Sequence, residues 1–261
     1  MVIFEKSKKK RFFKIPYGYW KGVMKEDLHY LNTAIEGLPL PEALAFVLKA
    51  VKGRRVFSTS FGIEDQVLTH FLAPHADEIS VFTLDTGRQF NETYEVFQKT
   101  QNKYPALKIE TFYPEEQDIK NYVQSAGING FYNSIDNRKE CCRIRKVKPL
   151  QRAVSGAQLW ITGMRAEQSA NRENMQFLEW DEANNLIKFN PLLHFTLKQT
   201  EDLVNQYNIP ISSLYKKGYL SIGCAPCTRA LAEGEDFRAG RWWWENGKKE
   251  CGLHIHSEKN Y

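Results

Sequence analysis

Along the chain, short apolar runs alternate with longer stretches in which apolar residues recur every three or four positions. Arg55 to Phe61 (RVFSTSF), Glu78 to Asp85 (EISVFTLD), Lys108 to Tyr113 and Gln158 to Met164 (QLWITGM) read as buried strands. Between them, Leu38 to Val51, the segment opening at Ile63, Asn91 to Tyr104 and Glu116 to Ala126 carry helical spacing, with Pro41 suited to a first turn. Repeated strand-helix units predict an α/β fold built on a mainly parallel sheet, with its loops gathered at the carboxyl ends of the strands. Gln176 to Trp180 and Leu186 to Phe189, parted by Asn184 and Asn185, predict a hairpin; Thr196 to Tyr207 predicts an amphipathic covering helix. Gly127 to Asn137 is poor in apolar residues and reads as a connector. After it, one helix is predicted from the adjacent cysteines to about Val154.

Composition changes this picture little. The 261 residues, 42% hydrophobic and 26% charged, suit one soluble domain with appended ends. Residues 1-30 read as a basic amino-terminal extension, marked by EKSKKKRFFK from Glu5 to Lys14. Residues 31-240 read as the domain, and 241-261 as a carboxyl-terminal tail. No membrane span or secretory signal is visible, and five cysteines placed as ligands and a thiol predict a reducing cytoplasm. The net charge of +5 suits an anionic ligand.

The cysteines carry the first chemistry. Cys141 and Cys142 in KECCRIRKVKPL, with Cys224 and Cys227 in GCAPC, supply four soft ligands, enough for an iron-sulfur cluster or a structural zinc. Adjacent helical side chains diverge by about 100 degrees, which favours separate corners of a cluster over one tetrahedral ion. Arg145 and Lys146 follow Cys141 and Cys142 by four positions and share their helical faces; Arg143 and Lys148 read as solvated. Cys251, in the Gly- and charge-rich tail, is left free to react.

The second chemistry is anion binding. The Arg55 to Phe61 strand runs through Ser58 and Ser60 to Gly62 and then into a helix, an arrangement that offers N–H groups and hydroxyls to a phosphate, although a plain turn reads equally well. Arg165, just beyond a strand end and a glycine, is a candidate for bidentate phosphate contact, with a structural salt bridge as the competing reading.

KECCRIRKVKPL, GCAPCT and the final ECGLH resemble the assimilatory sulfonucleotide reductases, and most closely the bacterial adenylylsulfate (APS) reductases that carry a 4Fe-4S cluster. The likeness runs from about Ser58 to His254. It implies an adenine nucleotide alpha hydrolase-like (PP-loop) fold and a 4Fe-4S cluster on Cys141, Cys142, Cys224 and Cys227. It also implies Leu84 of LDTGR at the adenine base, Lys146 between cluster and nucleotide, and Arg238 and Arg241 around the sulfate. Two departures stand out: Arg138 replaces a frequent histidine three residues before the first cysteine, and Ala166 replaces a usual basic residue after Arg165.

The resemblance further implies reduction of APS to sulfite and AMP through a Cys251 S-sulfonate, in sulfate assimilation, with thioredoxin or glutaredoxin as reductant. The 3'-phosphorylated substrate (PAPS), alone or alongside APS, is the alternative within the family. A tRNA-thiolating PP-loop enzyme would need the SGG-x-DS loop that Ser60 to Asp65 lacks, and a non-enzymatic metal-stabilised module would leave ECGLH without a role. Nucleic acid is not an expected partner; self-association is left open.

Overall fold

The computed structural model describes residues 25–169, 172 and 174–245. Its six strands are β1 (Arg54–Ser58), β2 (Ser80–Leu84), β3 (Ile109–Phe112), β4 (Ala157–Ile161), β5 (Leu178–Asp181) and β6 (Leu186–Phe189). They form one sheet in the order β3-β2-β1-β4-β6-β5. All neighbours are parallel except β5 on β6, the expected hairpin, whose turn places Asn185 at φ 53°. Asparagine tolerates that left-handed conformation better than most residues.

Alternation along the strands explains the layers. Val56, Phe82 and Trp160 face Leu150, Ala153 and Val154 on one side. Phe57, Leu159 and Ile161 face the other side, toward the apolar stripes of α1 (Leu28–Ile35), α2 (Leu40–Ala50) and α3 (Ile63–Leu72). Both faces are thus covered, which is why the strands read as nearly continuous apolar runs. The remaining helices are α4 (Asn91–Lys103), α5 (Glu116–Ala126), α6 (Ile135–Cys142), α7 (Lys148–Val154) and α8 (Leu197–Gln206). Thr196 caps α8 in a reciprocal pair with Gln199.

Three features depart from the sequence reading. The Gly127 to Asn137 connector is structured: a 3-10 turn spans Gly130–Tyr132, Phe131 is 1% exposed, and α6 starts at Ile135. The single helix expected through the cysteines is divided, since Arg143–Val147 forms a π-helical turn between α6 and α7. Pro149 explains it: without an N–H it cannot bond the Arg145 carbonyl four residues back, and its ring crowds that oxygen. Finally, the folded unit begins before residue 31. Asn32 of α1 bonds the backbone of Leu178 in both directions, and Lys25 pairs with Glu182.

The strand order reverses at β1. The chain steps outward from β1 to β2 and β3, then returns to place β4 on the other side of β1, opening a crevice beyond their carboxyl ends.

Candidate active site

The crevice holds a cleft of about 230 Å³. Ser58, Ser60 and Gly62 line it from the β1 loop, Leu84 and Thr86 from the β2 loop, and Thr162, Gly163 and Met164 from the β4 loop. Lys146, Arg238 and Arg241 enter the wall from later in the chain. Two stretches are therefore brought to the switch point that sequence adjacency does not connect.

The β1 loop is tied from below. Asp65 accepts from the backbone N and the Oγ of Ser60, each at 2.6 Å, and burial pushes its carboxyl up to about 6. Gly163 is required here, because a Cβ at that position would lie 2.2 Å from Asp65 Oδ1 and 3.2 Å from its backbone nitrogen. Tyr215 accepts from Ile63 N at the start of α3 at 2.8 Å, and Trp160 Nε1 donates to Ser58 Oγ at 2.9 Å. In the β2 loop, Asp85 accepts from Gly87 N at 2.8 Å and so holds the turn.

Arg165 is not among the residues that line the cleft. Its side chain is 1% exposed, off the cleft wall, and pairs with Glu64 at 2.8 Å and with Glu167 at 2.5 Å. The competing salt-bridge reading describes it: Glu64 is nearly buried too, and a carboxylate there needs a cation. Arg172 and Gln168 face the cleft instead, from a polar stretch without periodicity whose only sequence signal is a second arginine beyond the β4 end. Arg143 and Lys148, expected to be solvated, pair with Glu140 and Asp118.

Beside the cleft, Cys141, Cys142, Cys224 and Cys227 wall a second cavity together with Arg88, Arg138, Arg145 and Lys146. Lys146 alone among these faces both spaces. α6 and the π turn bring in the first cysteine pair, and a 3-10 turn over Ala225–Cys227 brings in the second, fastened where Ala225 N donates to Arg88 O and Tyr132 Oη donates to Pro226 O. Thr86 Oγ1 lies 3.3 Å from Cys224 Sγ, and Arg145, which lines the cavity with Cys141, donates to Thr86 O at 2.7 Å. Burial pushes the Cys141 thiol up, and the Cys227 thiol up to about 12. Burial acts the same way at Cys224, but Lys146, Thr86, Arg241 and Arg145 outweigh it and bring that thiol below its ordinary value.

These four thiols are the residues that could hold a metal group. They wall one cavity, and four soft sulfur donors are a set that binds thiophilic metals. Arg145 Nε and Trp242 Nε1 are buried with no hydrogen-bond partner among the described residues, so the site has donors for acceptors that such a group would add.

Arg241 lines the cleft next to the loop that carries Cys224. Its guanidinium packs so tightly on Gly223 that a Cβ there would lie 2.4 Å from Nη2. Residues 54–230, which contain the strand loops and both cysteine pairs, match the phosphoadenosine phosphosulfate reductase domain family. The chain belongs to that family.

Two curated reductases give the scale of the kinship. The chain is 49% identical to the adenosine 5'-phosphosulfate reductase of Sinorhizobium fredii, over 89% of this chain and 92% of that protein. It is 47% identical to the enzyme of that name from Agrobacterium fabrum, over 88% of each. The crystal structure of a phosphoadenylyl-sulfate reductase from Candida auris shares the fold, with a TM-score of 0.66 at 22% identity over 78% of this chain and 97% of that one. Within this reductase family frame, Cys251 lies outside the described residues. The last described residue before it, Glu245, is 9% exposed beside the cysteine cavity.

Proposed function

We propose that this chain reduces adenosine 5'-phosphosulfate to sulfite and AMP, with Cys251 as nucleophile and a thioredoxin- or glutaredoxin-type dithiol as reductant. It is an oxidoreductase of sulfate assimilation. No helix among the described residues is long and apolar enough to cross a membrane. The observation that carries the reading is Lys146, standing on the wall of both the nucleotide-sized cleft and the cysteine cavity, in a chain 49% identical to a reductase of that name.

The residues divide the work. Ser58, Ser60 and Gly62 face the α-phosphate, and Leu84 faces the adenine side. Lys146, Arg238 and Arg241, with Arg172, receive the sulfate and screen its charge from an approaching thiolate. The Cys251 thiolate attacks the sulfate sulfur. A sulfur–sulfur bond forms, the bond from that sulfur to the phosphate oxygen breaks, and AMP leaves with the electron pair. A dithiol then attacks Cys251 Sγ, expels sulfite and closes its own disulfide, so two electrons from the reductant balance the step. Cys251 has no free cysteine partner, since the other four are committed to the metal site. Cys141, Cys142, Cys224 and Cys227 would hold a 4Fe-4S cluster, which supplies electrostatic and structural support at the sulfate end of the cleft.

The deciding experiment gives anaerobically purified protein APS without reductant. Wild type should release one AMP and gain one sulfite unit on the peptide carrying Cys251, while Cys251→Ser should bind APS and release none. An adduct on another cysteine, or turnover by the variant, overturns the mechanism; strong preference for the 3'-phosphorylated nucleotide overturns the substrate assignment.

A further inference from the structure

The segment that leads to Cys251 is held at its root more firmly than a tether requires. Trp242 is 1% exposed, and its backbone sits at φ 41°, a conformation that a bulky residue adopts only where its surroundings impose it. The surroundings here are two guanidiniums: Arg138 and Arg241 each lie 4.7 Å from the Trp242 ring centroid. Arg138 then donates from Nε and Nη2 to the two carboxylate oxygens of Glu245, at 2.9 and 2.8 Å. The paired side chains are 4% and 6% exposed. Desolvating both charges largely cancels their attraction, so such a pair contributes geometry more than stability.

Arg138 lines the cysteine cavity together with Cys142, while Arg241 faces the cleft as well as Gly223. Arg138 thus joins the wall of the cysteine cavity directly to Glu245, the last described residue before the tail. Five residues separate Glu245 from Cys251, so the six steps between them reach at most about 20 Å when extended. Fixing the root bounds how far from Glu245 the thiol can range.

We infer that Arg138 and Glu245 are positioning residues, a latch that seats the tail root against the cysteine site so that Cys251 is delivered to the sulfonucleotide only when that site is assembled. This rests on the Cys251 reading above. Neither residue touches the cleft; both act through the tail.

The test compares wild type with Glu245→Gln and Glu245→Asp in three measurements: single-turnover adduct formation from APS without reductant, AMP affinity with iron content, and trypsin cleavage after Lys248 and Lys249. Glu245→Gln should slow adduct formation about 10- to 100-fold while iron and AMP affinity stay within about twofold of wild type. Glu245→Asp should recover most of the rate. Tail cleavage should speed up in Glu245→Gln and equally in wild type stripped of iron. Unchanged adduct formation in Glu245→Gln overturns the latch, as does a loss in both variants that merely follows loss of iron and of AMP affinity. Should wild type itself form no adduct, the Cys251 reading fails, and the cleavage pattern still decides whether the latch exists.

Discussion

Lys146 is the foremost of the groups that draw the buried Cys224 thiol below its ordinary pKa, and the same ammonium stands on the wall of the neighbouring cleft. One cation is shared between a set of thiols and a space that would hold a sulfonucleotide. Arg145, one residue earlier, donates to Thr86 O, lines the cysteine cavity and has no place on that wall.

Replacing Lys146 should therefore separate catalysis from metal retention. Lys146→Met is expected to lower kcat/KM for APS about 100-fold, as for loss of one preorganised charge at a transition state. Iron content, measured by colorimetric assay on the same preparation, should stay near that of wild type.

The two arginines beyond β4 should differ in kind. Arg165→Leu leaves Glu64 buried without its cation, and a loss of about 3–5 kcal/mol in chemical denaturation is expected. Arg172→Leu should leave the denaturation midpoint close to wild type while raising KM for APS, because Arg172 lines the cleft. Steady-state kinetics beside urea melts would separate them.

Asp65 gives a pH signature. Its carboxyl is raised from 3.8 to about 6, chiefly by burial, so the native state holds the proton more tightly than the unfolded chain between those values. The associated stability is complete below pH 3.8 and is lost as pH rises through about 6. Relative to Asp65→Asn, wild type should gain up to about 3 kcal/mol on going from pH 7 to pH 4, read from paired denaturation curves.

Serine at any one of Cys141, Cys142, Cys224 or Cys227 should cost the protein its iron, whereas Cys251→Ser should retain it. Metal analysis of the five anaerobic preparations checks this, and stoichiometric zinc in place of iron would refute the cluster assignment.

Much of the frame was legible because burial on both faces writes itself into composition: Val56-Phe57, Val81-Phe82 and Leu159-Trp160-Ile161 are apolar on either side of the sheet. The gathering of the four cysteines around one cavity was legible because ligand chemistry narrows residue choice. What escaped were pairings across distance. Arg138 was visible as a cation near the thiols, but nothing in its neighbourhood names Glu245, 107 residues away. Arg165 and Arg172 follow the same strand, and only the position of Glu64 at the start of α3 decides which of them turns inward. The π turn had its cause in plain view at Pro149, yet the regular three-and-four spacing around it reads as unbroken helix.

Cys141 and Cys142 precede β4, while Cys224 and Cys227 follow α8. A metal group bound by all four is thus a staple closing a loop that contains β4, β5 and β6, half of the sheet. With the proposed cluster in place, such a closure would remove entropy from the unfolded chain, as a disulfide does, and would depend on iron and thiolates instead of an oxidised bond. Oxidative loss of the iron would then act on the protein twice over, blunting its chemistry and loosening the half of the sheet on which the β4 wall of the cleft is built.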